Sequence, residues 1–532
     1  MISIIKKISF LFILTIMSLL SACFNSYPDK MSDPGGNFIS IKDRSFVDPL
    51  GREVIFNGVN LVNKSPDGDY FCALTPKVFE NLRKAGFNVI RLGIIWDGLE
   101  PEPGVYDEKM FECLDERIQW AKENGLYVFL DMHQDLYSVK FSDGAPEWAT
   151  LTEDKPHYTG HVWSDSYLIS PAVQTAFDNF WKNTPASDGI GIQDHYANLW
   201  KYIAKRYAND TAIIGYDLMN EPFPGSPANN FMPLMIQAYA GILVASGTEV
   251  PDPEALGEAW SVPESRAEIL LTLQDTNLYK QVIFSTQEIN QQFEQGPLSD
   301  MYQKVTHSIR EVDTNHIVFI EHSYFSNPGV PSSLLPVKDI NGEVDNKVAY
   351  SPHGYDLVVD TKAYTNASSS RVKFLFDQTN ATSKRLNMPM LVGEWGAFGG
   401  KSPAFATQAD EILRLFEAYK CSNTYWAYSE SIESNPYFQV LVRSYPKAIS
   451  GKLLNYSNQP GKSFTCSWEE DGSVKGNSVF FLSSVFKEGK QNVNISLNKK
   501  EYELVALPDT EHALLIVPVS GDAEIRTLTI NY

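Results

Sequence analysis

The sequence predicts an α/β fold in which a (β/α)8 TIM barrel, a closed ring of parallel strands, is followed by a C-terminal β-sandwich. Three observations predict it. Eight short, apolar, β-branched segments alternate with amphipathic helical patterns, which favours a parallel sheet closed on itself. Polar residues able to do chemistry stand at nearly every strand end, where such barrels gather their active sites. Beyond Arg443 the helical patterns stop, and short strands are separated by turns such as Lys475-Gly476-Asn477 and Lys487-Glu488-Gly489.

The chain has 532 residues, 43% of them hydrophobic and 20% charged, enough for more than one domain around an ample core. Lys6 and Lys7 precede an apolar run, Ile8 to Leu20, with the layout of an export signal and too short to span a bilayer permanently. Leu20-Ser21-Ala22-Cys23 resembles a bacterial lipoprotein processing site. Residues 1–23 are therefore expected to be a signal ending at a lipidated Cys23, and residues 24–37, rich in Ser, Pro, Asp and Gly, a flexible tether. The expected location is the bacterial cell envelope, at the outer membrane or cell surface, with the membrane as partner through the acyl chains.

The barrel is expected over residues 38–443. Its strands read Val54 to Leu61, Phe87 to Trp96, Leu126 to Met132, Ile213 to Met219, Ile317 to Glu321, Val348 to Pro352, Met390 to Trp395 and Thr424 to Tyr428. Helical patterns between them run Pro76 to Ala85, Asp107 to Glu123, Asp194 to Tyr207, Ser299 to Val312, Ser369 to Arg385 and Ala404 to Tyr419. Long insertions follow strands three and four, from about Tyr137 to Gly191 and from Pro222 to about Leu298. Their aromatic and apolar residues, Trp148, Trp163, Tyr167, Phe177, Phe180 and Trp181 in the first and Phe231 to Ile236 with Tyr239 in the second, either wall a cleft or pack the insertions down. Residues 444–532 hold nine Lys plus Arg against ten Asp plus Glu, so almost all of the net charge of −21 lies on the barrel. That acidity argues against nucleic acid and against docking on anionic lipid by charge. Four cysteines follow Cys23, namely Cys72, Cys113, Cys421 and Cys466; they allow three pairings, and their spacing fits no metal motif.

The strands and their ends supply Asn60 and Lys64, Arg91 on the second strand, His133 and Asp135, Asn220 and Glu221, Glu321 and His322, His353 and Tyr355, Glu394, and Trp426. Glu221, after strand four, and Glu394, at the end of strand seven, form the pair that glycosidic cleavage requires: one protonated carboxyl for the leaving oxygen, one ionised carboxylate for the oxocarbenium-like carbon. Asn220 would offer an amide to the sugar 2-hydroxyl. Arg91 is expected beside Glu394, keeping it ionised, with Tyr355 also bonded to it. Trp426 offers a flat face on which a sugar ring stacks. Asp131-Met132-His133-Gln134-Asp135 could be read as a metal site, but the paired glutamates supply an activity without one, and no metal is expected.

Asn57-Gly58-Val59-Asn60 with Lys64, Asp131 to Asp135, Gly144-Ala145-Pro146-Glu147-Trp148, Tyr216 to Pro222 and Gly393-Glu394-Trp395 together resemble glycoside hydrolase family 5, and within it the endoglycoceramidases. The resemblance extends from about Phe46 through the barrel, and Arg443-Ser444-Tyr445-Pro446 with the tail is similar to the end of those enzymes. It implies a retaining endo-β-glycosidase that releases oligosaccharide from the ceramide of glycosphingolipids, without a cofactor and as a monomer. Glu221 would be the acid/base and Glu394 the nucleophile. Lys64, His133, Asp135, Asn220, Tyr355 and Trp426 would contact the glucose nearest the ceramide or orient the pair. The segment between Glu221 and Tyr355 is longer than the resemblance implies, which leaves galactosyl-series lipids, other β-glucosides with apolar aglycones and steryl glucosides open as substrates. A cellulase-like β-glucanase is the alternative within the class, and a non-catalytic glycan-binding surface lipoprotein the alternative outside it.

Replacing Cys23 with Ser should move the protein from the membrane fraction to the soluble fraction; a Cys23→Ser protein that stays with membranes would exclude lipidation at this residue.

Overall fold

The computed structural model describes residues 38–66, 70, 74–359, 361, 363–498 and 501–532. The expected signal, Cys23, the tether and Cys72 lie outside these residues. All eight expected barrel strands form: β1 (Asn57–Leu61), β2 (Val89–Ile95), β3 (Tyr127–His133), β4 (Ile213–Asp217), β5 (Ile317–Ile320), β6 (Val348–Tyr350), β7 (Leu391–Val392) and β8 (Ser422–Tyr425). They pair in parallel from β1 through β6, with β8 beside β1 and β7 beside β8. The Tyr350 N–H donates to the Pro389 carbonyl at 3.0 Å, and a bridge from Tyr350 to Met390 closes the ring.

Every residue of β1 and β2 is buried, as expected of parallel strands covered on both faces. Helices Pro76–Lys84, Glu108–Glu123, Ile192–Tyr207, Pro297–Arg310, Ser369–Leu386 and Pro403–Tyr419 supply the outer layer where the sequence placed them. Their ends follow local chemistry. The Asp107 carboxylate accepts the Met110 N–H, Pro76, Pro297 and Pro403 occupy first turns, and Asn387 and Lys420 close their helices in the left-handed conformation. Among the described residues no α-helix follows β5; a short 3-10 turn, Tyr324–Ser326, and irregular chain lead to β6.

Alternation along the strands stacks the barrel interior in layers. On β3, Phe129 lies near the base, Asp131 above it and His133 at the top. The base is apolar: Phe46 packs on Phe56 (ring centroids 5.3 Å apart) and on Phe319 (6.0 Å), with Phe129 and Leu391 in the same cluster. Burial of each such ring contributes about 2–3 kcal/mol.

The sandwich differs from expectation in where its strands come from. Its larger sheet joins Ser40–Lys42, Ser45–Val47 and Glu53–Val54 to Tyr445–Ile449, Ser478–Leu482, Ala513–Val517 and Glu503–Ala506. The smaller sheet holds Lys452–Gln459, Ser463–Asp471, Ala523–Asn531 and Asn494–Leu497. Between them Trp468 and Phe464 meet Phe480, with centroids 5.4 and 6.2 Å apart. Assigning residues 38–443 to the barrel alone therefore needs correction: Val54 and Glu53 pair with Ala448 and Ile449, and Val54, read as the start of the first barrel strand, belongs to the sandwich sheet. The apolar run Val54 to Leu61 hid the break between two strands serving different sheets. The Tyr445 hydroxyl donates to the Gly86 carbonyl at 2.9 Å, and the Asn458 N–H donates to the Glu417 carboxylate at 3.0 Å, fixing sandwich to barrel.

Cys113 is disulfide-bonded, whereas Cys421 and Cys466 are free and buried. Among the described residues no helix is long and apolar enough to cross a membrane.

Truncation after Arg443 would strip the pairing edge of Glu53–Val54 and leave a bare strand over the barrel base, so the shortened chain is expected in the insoluble fraction. A soluble truncation with a cooperative melt would show that the barrel is independent.

Candidate active site

Arg91 on β2 lies at the centre of the upper barrel and is completely buried. Its Nε donates to Asp217 Oδ2 at 2.9 Å, Nη1 to Glu394 Oε1 at 2.7 Å and Asn60 Oδ1 at 3.1 Å, and Nη2 to Glu321 Oε1 at 2.8 Å and Asn220 Oδ1 at 3.0 Å. Asp131 Oδ1 lies 2.8 Å from Nη2. One cation thus faces four buried carboxyl groups.

A second cation joins them. His353, just past β6, places Nδ1 3.0 Å from Glu221 Oε1 and 3.6 Å from Glu394 Oε2, with Nε2 3.2 Å from Glu321 Oε1. Burial opposes its charge, yet Glu321 and Glu394 outweigh burial and hold the imidazole well above its ordinary pKa. His353 and Glu394 are direct neighbours in a short parallel pairing, and Gly393 makes this possible, since a Cβ there would stand 2.9 Å from His353 Nε2.

The carboxyl groups outnumber the cations, so protons must make up the difference. Burial pushes Asp131 up to about 6, Asp217 to about 7, Glu321 to about 8 and Glu394 to about 7, against the pull of Arg91 and His353. The expected Arg91–Glu394 contact is present, but burial prevails over it, so Glu394 titrates near neutrality instead of staying firmly ionised. Tyr355 donates to Glu394 Oε2 at 2.9 Å, which leaves each oxygen of this carboxylate with one donor.

Glu221 holds a left-handed backbone, φ +44°, that a non-glycine residue adopts only under constraint. Its N–H donates to Glu321 Oε2 at 2.8 Å, and the Gln134 side chain donates to the carbonyls of Asn220 and Glu221 at 2.8 and 3.2 Å. These bonds turn the side chain into the barrel mouth. One oxygen of Glu221, one of Glu394 and a ring nitrogen of His353 lie within 4.8 Å of one another.

The other expected residues form an adjoining wall. His133 donates through Nδ1 to Asp131 at 2.8 Å and stacks on Trp426 with ring centroids 5.2 Å apart. Burial, then the charge of Lys64, keep its ring neutral, so Nε2 remains as a buried acceptor without a hydrogen-bond partner among the described residues. Lys64 pairs closely with Asp135, reaches Asp143 at 3.9 Å and lies 4.9 Å from the Trp426 ring. Burial, reinforced by Asp135, pushes Asp143 up to about 8. Two acidic clusters with metal-like spacing, His133–Asp135–Asp143 and Asp131–Asp217–Glu321, thus already face Lys64 and Arg91 respectively, and the third, Glu221–His353–Glu394, contains the cationic His353.

Part of this set lines one cleft of about 860 Å³, while Arg91, His353, Asp131, Asp143, Asp217 and Glu321 are not among its lining residues. Lys64, His133, Asp135, Asn220, Glu221, Tyr355, Glu394 and Trp426 make its polar end. The rest is mainly apolar, formed by Phe231, Met232, Met235, Ile236, Trp260 and Ile283 of the second insertion with Phe325 and Val330 of the loop after β5. Trp163 is the aromatic of the first insertion that reaches the cleft, whereas Tyr167, Phe177 and Phe180 are buried in the core, where packing was the alternative use. Arg266 of the second insertion pairs with Asp165 of the first at 3.2 Å at the rim.

The model of the cellulase family (glycosyl hydrolase family 5) matches residues 47–251 and 274–431. The chain belongs to glycosyl hydrolase family 5. The Endoglycoceramidase of Cyanea nozakii is 33% identical over 229 residues, 37% of this chain and 44% of that protein. Endoglycoceramidase I of Rhodococcus hoagii is 24% identical over 422 residues, 76% of this chain and 72% of that protein. Among solved structures, Endo-glycoceramidase II from Rhodococcus sp., in a cellobiose-like imidazole complex, superposes with a TM-score of 0.70 at 25% identity, covering 93% of this chain and 99% of that one. The family match skips residues 252–273, where helices Pro253–Ser261 and Pro263–Thr272 contribute Trp260 and Arg266 to the cleft. The long segment after Glu221 noted in the sequence thus includes these two helices.

Sequence reasoning missed Asn327, whose Nδ2 donates to Glu221 Oε1 at 2.7 Å, and Asp143 and Gln134, which hold Lys64 and the Glu221 backbone. Ser326-Asn327-Pro328-Gly329 reads as a turn, and nothing in its pattern marks the Asn as facing inward.

The raised carboxyl groups predict a pH dependence of stability. An acid whose pKa is higher folded than unfolded binds more protons in the native state, so its contribution is full below the unfolded pKa and fades as pH rises through the folded one. Stability is therefore expected to fall between about pH 5 and 8. Asp217→Asn, which mimics the protonated acid, should flatten that fall in melting temperature measured across the range; an unchanged slope would remove Asp217 from the proton-holding set.

Proposed function

We propose that this family 5 enzyme is a retaining endo-β-glycosidase that hydrolyses the bond between oligosaccharide and ceramide in glycosphingolipids. The observation that carries the reading is the single cleft, in which a glutamate pair with oxygens within 4.8 Å lies at a polar end that opens directly into an apolar compartment. Retaining enzymes keep their carboxyl groups about 5–5.5 Å apart, whereas inverting ones need about 6.5–9.5 Å to admit a water. The names of the relatives, endoglycoceramidases over most or part of the chain, support the same substrate class.

In this reading Glu221 protonates the glycosidic oxygen while Glu394 attacks the anomeric carbon, and Glu221, now ionised, takes a proton from the water that releases the sugar. Arg91 and Tyr355 each hold one oxygen of Glu394, fixing its line of attack. The free acceptor His133 Nε2, together with Lys64, Asp135 and Asn220, contacts hydroxyls of the sugar next to the lipid, and Trp426 supplies its stacking face. The apolar compartment takes the acyl and sphingoid chains, which a cellulase-type cleft for soluble glucan would have no use for. An envelope location through a lipidated Cys23 would place the enzyme near membrane-borne glycolipid.

Proton NMR of the first product should show the β-anomer before mutarotation. Glu394→Gln should lower turnover of a glycolipid by roughly 10³-fold or more while leaving it bound. Release of oligosaccharide from soluble β-glucan in preference to a glycolipid panel would reject the lipid assignment.

A further inference from the structure

The loop after β5 touches the acid/base glutamate through a residue that no part of the catalytic pair requires. Glu221 Oε1 accepts two hydrogen bonds, from Asn327 Nδ2 at 2.7 Å and from the His353 imidazolium Nδ1 at 3.0 Å. Both donors converge on the same oxygen. Among the described residues no hydrogen bond reaches Oε2.

Which end of the Asn327 amide faces Glu221 is decided by His322. Its Nε2 lies 3.1 Å from the His353 carbonyl, an oxygen that only accepts, so Nε2 carries the hydrogen. Nδ1 then accepts from the Tyr350 hydroxyl at 2.7 Å. The same Nε2–H reaches Asn327 Oδ1 at 2.9 Å, which turns the amide nitrogen toward Glu221. Burial, then the charge of His353, bring His322 down to about 3, so the ring keeps this neutral tautomer throughout the working range.

The loop itself is fixed from outside the barrel. Buried Glu294, on insertion helix Gln287–Gln295, accepts the Ser323 N–H at 3.0 Å on one side of Asn327, and the Ser332 hydroxyl at 3.1 Å and the Ser333 N–H on the other. Asn290 of the same helix donates to Ser326 Oγ at 3.0 Å.

We propose that Asn327 is a positioning residue for the proton of Glu221: oriented by His322, it reserves Oε1 as an acceptor, so that Oε2 carries the proton delivered to the leaving oxygen. The inference rests on the acid/base reading of Glu221. In the first step the Oε2–H bond breaks as the glycosidic C–O bond breaks, and the leaving group takes the proton. In the second, ionised Oε2 takes a proton from water while Asn327 and His353 still occupy Oε1. Glu221 is also faced by Glu394 from the end of β7, by Tyr355, by Tyr167 of the first insertion and, at its N–H, by Glu321. None of these is bonded to the Asn327 side chain; the Tyr355 N–H donates to the Asn327 backbone carbonyl at 3.3 Å.

The test uses Asn327→Ala and the isosteric Asn327→Asp on the full chain, with lactosylceramide in detergent and with 2,4-dinitrophenyl β-lactoside, whose leaving group departs without a proton. Both variants should lose about 10- to 100-fold in kcat/KM on the glycolipid. The burst of dinitrophenolate, which reads the first step alone, should stay within about threefold. A donor to a carboxylate favours its ionised form, so its removal should move the basic limb of the glycolipid pH profile upward, by about one unit in Asn327→Ala and further in Asn327→Asp. A basic limb that does not move in either variant, at unchanged melting temperature, would overturn the proposal, as would equal losses on both substrates. Glu221→Gln separates the two levels: it should abolish glycolipid cleavage and spare the burst. If it spares both, the acid/base reading fails and this proposal with it; if it behaves as expected while the Asn327 variants do not, the proposal alone fails.

Discussion

The Arg91 guanidinium is the interaction on which the rest of the structure depends. A fully buried charge costs several kcal/mol of lost hydration, and only near-complete satisfaction by partners offsets that cost. Arg91 obtains it from Asn60 of β1, Asp131 of β3, Asp217 and Asn220 at β4, Glu321 after β5 and Glu394 after β7. The bonds that align most of the barrel strands are therefore the bonds that place Glu394 and, through Asn220 and Glu321, the turn that carries Glu221. Because these partners bring more negative charge than Arg91 and His353 can balance, the centre holds protons near neutrality.

Most of this was legible in the sequence where residue type and position carry the information together. The eight strands announced themselves by apolar, β-branched runs, Glu221, Glu394 and Tyr355 by being charged or phenolic where such runs end, and Arg91 by being charged within one. What was not legible depends on distance through space. Asn327 lies in a run whose Asn, Pro and Gly are equally good turn formers, and its inward aim follows from His322 and from Glu294 on an insertion. The direction of the Glu394 shift depends on burial, which the expected contact with Arg91 does not reveal. Residues 40–54 look like the approach to a barrel because their pairing partner lies most of the chain away.

The two insertions divide their labour. The first spends its aromatics mainly on packing, Phe177 and Phe180 among them, and gives Trp163 to the cleft. The second lays an apolar floor and then, through helix Gln287–Gln295, fixes the loop that touches Glu221. The apolar floor of the cleft and the loop that touches Glu221 thus share a scaffold, and part of that scaffold, helices Pro253–Ser261 and Pro263–Thr272, lies between the two segments that match the family.

The strands at 40–54 also bear on how the molecule is made. They leave the ribosome first, yet the sheet they open is completed by Tyr445–Ile449 and then by strands out to Ala513–Val517. Pairing across so long a stretch of chain is slow, because the intervening loop must lose its freedom before the contact is rewarded. Phe46, the ring that plugs the base of the barrel, rides on one of these early strands. The barrel therefore cannot be sealed from below in the order of its synthesis, and the sheet that carries Phe46 waits for the strand Tyr445–Ile449 to emerge.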